Sequence, residues 1–216
     1  MLAAITMSPQ YHAPKVRIAG LTLIEIMVAL AVLAIVLAVA APSMADLLEK
    51  RRVNAAAEEV LSLLNYAKAE TNATDSLLFV RFDPDTSNPP GSKVSCAMVA
   101  TSTGLNKCRC YLPAANVCAG TTQRSLRLFQ LPKTHVKFDA FSTNWGGSAN
   151  NFRFMREQNS IAPENLAVDV VGLNRGFTLR VEVNSIGRVR ICAPTAPQPA
   201  NAALPFNKMN GYGACS

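Results

Sequence analysis

AGLTLIEIMVALAVLAIVLAVAAP, residues 19–42, is the stretch that decides how the rest of the chain is organised. Between Gly20 and Pro42 lie 21 residues whose only polar side chains are Thr22 and Glu25. A helix of that length reaches about 30 Å, enough to cross the core of a bilayer. Glu25 would then lie in lipid, where a carboxylate costs about 2.5–3.5 kcal/mol. The stretch therefore predicts a membrane helix whose one carboxylate needs a compensating partner.

The segment before this helix is short and polar, and it carries Lys15 and Arg17, which favour a cytoplasmic N-terminus. A plain signal anchor and a secretory signal are the alternatives that share this pattern. Translation could begin at Met1 or at Met7, and the sequence leaves that choice open.

The motif Gly20-Leu21-Thr22-Leu23-Ile24-Glu25 resembles the class III signal of type IV pilins and pseudopilins. The resemblance implies that a prepilin peptidase removes residues 1–20 by cutting after Gly20 and methylates the new N-terminus at Leu21, where the family usually has Phe. It also implies that Glu25 pairs with the N-terminal amine of a neighbouring subunit during filament assembly. Such a pair would satisfy a carboxylate buried away from water. Pro42 stands where pilins have a helix-kinking proline.

The pilin resemblance implies an α+β fold of lollipop shape, in which a long N-terminal helix packs on an antiparallel β-sheet domain. Residues 21–41 would form the transmembrane or filament-core part of the helix, and residues 42–75 its amphipathic part. The protein would first be a single-pass protein of the inner membrane with a periplasmic C-terminal domain, and later part of a pilus or pseudopilus. An apolar stripe supports the amphipathic helix: Met44, Leu47, Leu48, Val53, Ala56, Val60, Leu63, Leu64 and Ala67.

The remainder, residues 76–216, predicts a β-rich domain, because short runs of β-branched, aromatic and other apolar residues alternate with turn clusters. The predicted strands are 77–82, 94–100, 125–131, 136–141, 151–155, 167–171, 177–183 and 188–193. The segment after Cys192, APTAPQPANAALP, is rich in Pro and Ala and is predicted to lie extended on the surface.

All six cysteines lie in this domain, and an even number in an exported domain favours disulfide bonds. We predict that Cys192 pairs with Cys215, because each closes one end of an irregular segment. Cys96, Cys108, Cys110 and Cys118 allow three pairings and would staple the loop 96–118, whose insert, residues 107–120, has no assigned role. Zinc is the competing idea for these four, but they lack the C-x-x-C spacing of common zinc sites. We therefore predict no metal and no cofactor.

Charge is spread unevenly along the chain. Residues 21–100 carry nine acidic and six basic side chains, a net of −3, whereas residues 101–216 carry five and thirteen, a net of +8. Such a basic half suggests a polyanionic partner. Catalytic motifs are missing, and His135 is the single histidine left once the predicted leader is removed. We therefore predict that the protein is not an enzyme.

The stretch GFTLRVEVNSIGRVRIC, residues 176–192, predicts a β-hairpin turning at Asn184–Gly187. Since side chains alternate along a strand, its apolar residues should face the core, and the four charged ones should face solvent: Arg180, Glu182, Arg188 and Arg190. Arg188 and Arg190 would present two guanidinium groups to an anion, and Glu182 could neutralise one of them. The alternative is a solvent-facing strand whose arginines only keep an edge soluble.

The run Gly187-Arg188-Val189-Arg190 is similar to a C-terminal G-R-x-R motif of the FimT branch of minor pilins, which shares a domain with the GspH pseudopilins. In FimT members linked to natural transformation these arginines contact DNA. The resemblance implies Arg188 and Arg190 as DNA contacts, to which Arg180 and Lys208 could add. Binding through phosphates would be independent of sequence and sensitive to salt.

Two functions are therefore predicted, and both need the prepilin peptidase and other pilin subunits as partners. The first is a minor type IV pilin that binds extracellular DNA for uptake in natural transformation (competence). The second is a structural pseudopilin of the GspH kind, which primes or caps a type II secretion or type IV pilus filament through protein contacts alone. A weaker third idea is an adhesin that uses the loop between Cys96 and Cys118.

Overall fold

The fold is taken from a computed structural model, which describes residues 20, 22–74, 77–83, 94–101, 108–120, 123–132, 134–142, 151–155, 160–162, 165–198 and 202–215. Residues 1–19 and Leu21 lie outside this set, so the predicted leader and the first residue of the processed chain are not described. Contacts divide the chain into two compact units, Met1–Ser43 and Met44–Ser216.

The helix α1 spans Leu23–Thr74, and its apolar beginning belongs to the first unit. Among the described residues it is the one helix long and apolar enough to cross a membrane, by length and composition alone. Its first turn is closed by a capping box. The backbone N–H of Glu25 donates to Thr22 Oγ1 at 3.3 Å, and that of Thr22 donates to Glu25 Oε2 at 3.4 Å.

In the second unit, α1 buries one face as the apolar stripe predicts. Val53, Val60, Leu63 and other stripe residues are fully buried. Three predicted stripe positions near the start of this unit are instead exposed: Met44, Leu47 and Leu48. The buried face of the helix therefore begins later than the sequence pattern predicts, at Glu49 and Val53.

Ten strands in the described part of the chain form two sheets. The first sheet has the order β3-β2-β1-β5-β6, with β1 Leu78–Asp83, β2 Val94–Thr101, β3 Arg124–Pro132, β5 Asn151–Met155 and β6 Ser160–Ala162. The second has the order β10-β8-β7-β4, and β9 also pairs with β8; its strands are β4 Val136–Ser142, β7 Leu166–Gly172, β8 Phe177–Val183, β9 Val189–Cys192 and β10 Asn207–Lys208. The pairings between these strands are antiparallel except that of β10 with β8, which is parallel.

One hydrophobic core joins α1 to both sheets. Because side chains alternate, Val80 and Phe82 of β1, Val99 of β2, and Leu179 and Val181 of β8 meet the buried face of the helix. The predicted α+β fold, a long helix packed on antiparallel sheet, is therefore confirmed.

Disulfide bonds hold the irregular segments to this framework. Cys192 pairs with Cys215, Cys96 with Cys110, and Cys108 with Cys118. The described cysteines are thus all bonded, so none offers a thiolate to zinc. The insert lies over the outer face of β2, where Cys96, Met98 and Ala100 form a second core cluster with Cys108, Cys110 and Val117. Gln130 of β3 fixes it by donating from Nε2 to the carbonyl oxygens of Cys110 and Leu112.

Glu49 ties α1 to the β7–β8 turn. Its carboxylate is buried and accepts the backbone N–H of Arg175 at 3.0 Å and that of Gly176 at 3.1 Å. Gly172 leaves the room for this contact, since a Cβ there would lie 2.1 Å from Glu49 Oε1.

The segment after Cys192 covers the outer face of the second sheet. Pro197, Gln198 and residues 204–206 lie against Asp169, Val171 and Thr178 across a narrow gap. Two polar side chains on that face, Asp169 and Thr178, are consequently buried. This segment also supplies β10, a strand that the Pro/Ala-rich pattern did not predict; the three-residue β6 was not predicted either.

Candidate nucleic-acid interface

A tight turn, Asn184–Gly187, presents the two predicted arginines. Gly187 has φ +71° and is buried, which suits a residue without a side chain. The Asn184 carbonyl accepts the N–H of Gly187 at 2.8 Å, and Asn184 Oδ1 accepts the N–H of Arg188 at 2.7 Å. Lys68 of α1 donates from Nζ to the Gly187 carbonyl at 3.0 Å. The turn is therefore fixed both by its own side chains and by the helix.

Beside this turn lies a groove of about 530 Å³, between the start of β7 and the β8–β9 hairpin. We call it the arginine groove; its lining residues are Asn165, Leu166, Ala167, Glu182, Val183, Asn184, Arg188 and Arg190. Arg188 and Arg190, the two DNA contacts that the G-R-x-R motif implies, thus line one concavity. Its volume lies within the range of small-ligand sites, about 300–1,000 Å³.

The two arginines of the groove differ in their partners. Arg190 donates from Nε at 3.0 Å and from Nη2 at 2.8 Å to the same atom, Glu182 Oε2. The Arg190 side chain is 46% exposed, so the rest of its guanidinium faces solvent, whereas that of Glu182 is only 13% exposed. Arg188 is exposed, and its guanidinium forms no ion pair with the residues that the structure describes. Glu182, which was predicted to neutralise one of the two arginines, therefore pairs with Arg190.

Arg180 was predicted to face solvent, and this prediction is wrong. Its side chain is 11% exposed and makes a bidentate ion pair with Asp169, with Nε–Oδ1 at 2.6 Å and Nη2–Oδ2 at 3.1 Å. Burial raises the pKa of Asp169 above its ordinary value, and the nearby charges of Asp139 and Glu182 act in the same direction, against the hydrogen bond and charge of Arg180. Arg180 lies on the outer face as strand alternation requires, but the C-terminal segment covers that face.

Lys208 is exposed but lies outside the groove. In β10 it is opposite Thr178, whereas Arg190 in β9 is opposite Glu182, four residues further along β8. That separation is about 13 Å along a strand. Of the four predicted DNA contacts, the structure therefore brings together Arg188 and Arg190.

The predicted filament-assembly residue, Glu25, is exposed and engaged in the capping box with Thr22. The predicted cleavage site, Gly20, is exposed, and none of the described residues has an atom within 4 Å of where a Cβ would stand. The roles of these residues remain predictions.

Asn165 and Lys68 were not predicted as parts of the site. Asn165 has φ +54°, a backbone conformation that Asn tolerates better than most residues, and it lines the groove opposite the arginines. The P-E-N-L context around it carries no strand period, so nothing in the sequence indicated its place. Lys68 reaches the turn over 119 residues of chain, which only the tertiary structure could show.

A family model described as the prokaryotic N-terminal methylation motif matches residues 15–41. The chain therefore carries the N-terminal motif of type IV prepilins, and the resemblance predicted from Gly20–Glu25 is confirmed; the FimT/GspH branch in particular stays a prediction. Such a motif implies processing by a prepilin peptidase and assembly with other pilins.

Among solved structures the chain is similar to the type IV minor pilin FimU of Pseudomonas aeruginosa (strain PAO1). One crystal form is 14% identical with a TM-score of 0.42, covering 66% of this chain and 90% of FimU. The other is 15% identical with a TM-score of 0.39, covering 64% and 90%. No curated protein matches the chain.

Proposed function

We propose that this protein is a minor type IV pilin that binds extracellular DNA through the arginine groove, for uptake in natural transformation. The observation that carries the proposal is that Arg188 and Arg190 line the same groove beside a rigid turn. Guanidinium groups match phosphate oxygens with paired N–H donors. Contacts to the phosphate backbone, which is the same for every base sequence, dominate the affinity for DNA. Binding is therefore expected without regard to base sequence.

The test is a gel-shift titration of duplex DNA with the full-length protein in detergent, comparing wild type with Arg188→Gln/Arg190→Gln. Each cation that neutralises a phosphate adds about −0.9 to the slope of log K against log salt, so the double variant should lose affinity and up to about two units of slope. The matched control is Arg124→Gln/Arg175→Gln, which removes two charges outside the groove. Equal binding by wild type and the groove variant would refute the DNA proposal.

A structural pseudopilin that primes or caps a secretion or pilus filament is the second candidate. One observation favours it: two of the four predicted DNA contacts, Arg180 and Arg190, already have carboxylate partners. This role would be supported if a strain carrying Arg188→Gln/Arg190→Gln lost its filaments while the purified variant kept its affinity for DNA. Neighbouring genes offer a quicker indication, since secretion-channel genes would favour it and competence genes would favour DNA uptake.

A further inference from the structure

Glu182 stands in the arginine groove at a place where a polyanion site would be expected to exclude a carboxylate. It lines the groove together with Arg188 and Arg190, and its Oε2 accepts two N–H groups of Arg190. A carboxylate oxygen and a phosphate oxygen accept the same guanidinium donors. The contact between Glu182 and Arg190 is therefore the one that a bound phosphate would make.

The surroundings hold Glu182 in this position. It belongs to β8, where it is paired with Arg190 across the β8–β9 ladder. A carboxylate oxygen of Glu182 lies within 4.8 Å of both sulfur atoms of the Cys192–Cys215 disulfide. Because the disulfide lies this close and Arg190 donates twice to Oε2, the mostly buried carboxylate has little freedom to turn away.

We propose that Glu182 is the specificity determinant of the groove: it occupies Arg190 in place of a phosphate, so that only a polyanion that also engages Arg188 displaces it. A single phosphate would exchange one anionic partner of Arg190 for another and would meet the repulsion of Glu182. A strand of linked phosphates can contact Arg188 at the same time. The contact with Arg188 raises the effective concentration of phosphate at Arg190 and so offsets the repulsion by Glu182. This inference rests on the proposed function and identifies its ligand as a chain of phosphates rather than an isolated one.

The test is Glu182→Gln, which keeps the size of the side chain but removes its charge. The full-length variant in detergent should bind duplex DNA roughly three- to tenfold more tightly than wild type, because Arg190 is released. Its salt slope should steepen by about 0.9, the share of one further cation. Inorganic phosphate should compete with DNA on the variant at concentrations that leave wild-type binding unchanged.

Two controls separate this effect from a general loss of negative charge. Glu58→Gln makes the same charge change at a helix residue that contacts Asn54 and does not line the groove, and its DNA affinity should equal that of wild type. In an Arg190→Gln background, Glu182→Gln should give no gain, since the guanidinium that it would release is gone.

The outcomes are distinguishable. If wild type binds DNA and Glu182→Gln binds with the same affinity and slope, the inference is wrong while the proposed function stands. If neither protein binds, the proposed function fails. Should Glu182→Gln not fold, Glu182→Asp keeps the charge but shortens the reach to Arg190; a gain in affinity supports the inference and an unchanged affinity overturns it.

Discussion

At the level of single side chains, the arginines of β8 and β9 divide into a structural one and two that face solvent. Arg180 is nearly buried against the fully buried Asp169, whereas Arg188 and Arg190 line the groove. Removing one partner of a buried ion pair leaves an uncompensated charge, which is far more costly than losing an exposed one. We therefore expect the first kind of arginine to contribute to stability, whereas the second kind belongs to the site that we propose for DNA.

Arg180→Gln should therefore lower the free energy of unfolding by about 3–5 kcal/mol. Arg188→Gln should change it by no more than about 0.5 kcal/mol, as is usual for an exposed residue. Urea denaturation followed by circular dichroism measures both. Similar midpoints for the two variants would contradict the assignment of Arg180 to the structure.

Strand alternation predicted correctly which face Arg180 occupies but not that the face is covered. The period of two in FTLRVEV separates Leu179 and Val181, which are buried in the core, from Arg180 and Glu182 on the other side. Whether that other side meets water depends on Pro197, Gln198 and residues 204–206, which lie in a Pro/Ala-rich segment with no period to match against the sheet. For this reason the burial of Asp169 and Thr178 beneath this segment was not predicted.

Among the secondary-structure elements, the eight predicted strands are all present with bounds within one residue. They were predictable because each alternates or is continuously apolar between clear turn clusters. The strands β6 and β10 have only three and two residues, too few for a period, and they exist because neighbouring edges supply partners. The disulfide partners within the insert likewise depend on β2, which places Cys96 next to Cys110.

The C-terminal segment depends on more than its disulfide. Besides the Cys192–Cys215 bond, Ala193 exchanges backbone hydrogen bonds with Gly213 and Cys215, and the Tyr212 hydroxyl donates to Asn54 Oδ1 of α1. Met209 is buried in the main core. The segment is therefore part of the folded domain and not an appended tail.

Cys192→Ala/Cys215→Ala should lower the stability by about 3 kcal/mol, the usual cost of losing a bond that closes a loop of this length, here with a sequence separation of 23. The variant should still fold, because the contacts of Met209 and Tyr212 remain. Chemical denaturation of both proteins without reductant provides the measurement. Complete unfolding of the variant in buffer would show that the bond, and not the packing, holds the segment.

For the molecule as a whole, the N-terminal motif predicts a processed chain. Mass spectrometry of protein extracted from membranes should show that residues 1–20 are absent and that the new N-terminus, Leu21, carries one methyl group. A strain without prepilin peptidase is the control, and its protein should keep the full N-terminus. An intact leader in a strain with active peptidase would contradict the assignment of the motif, which covers residues 15–41.

The contact between Glu49 and the β7–β8 turn determines where the chain can be shortened. Preparing the second unit in water requires removal of the apolar part of α1, and a cut in the exposed region near Met44 would keep the buried residues of α1 that the structure describes, from Glu49 onward. A cut beyond Glu49 would remove the carboxylate that accepts the amides of Arg175 and Gly176, and with it the hydrogen bonds that tie α1 to this turn. The stretch Ala45–Leu48 contributes little to the core, but its Asp46 pairs with Arg175 Nε at 3.1 Å, so the chain is best cut before Ala45.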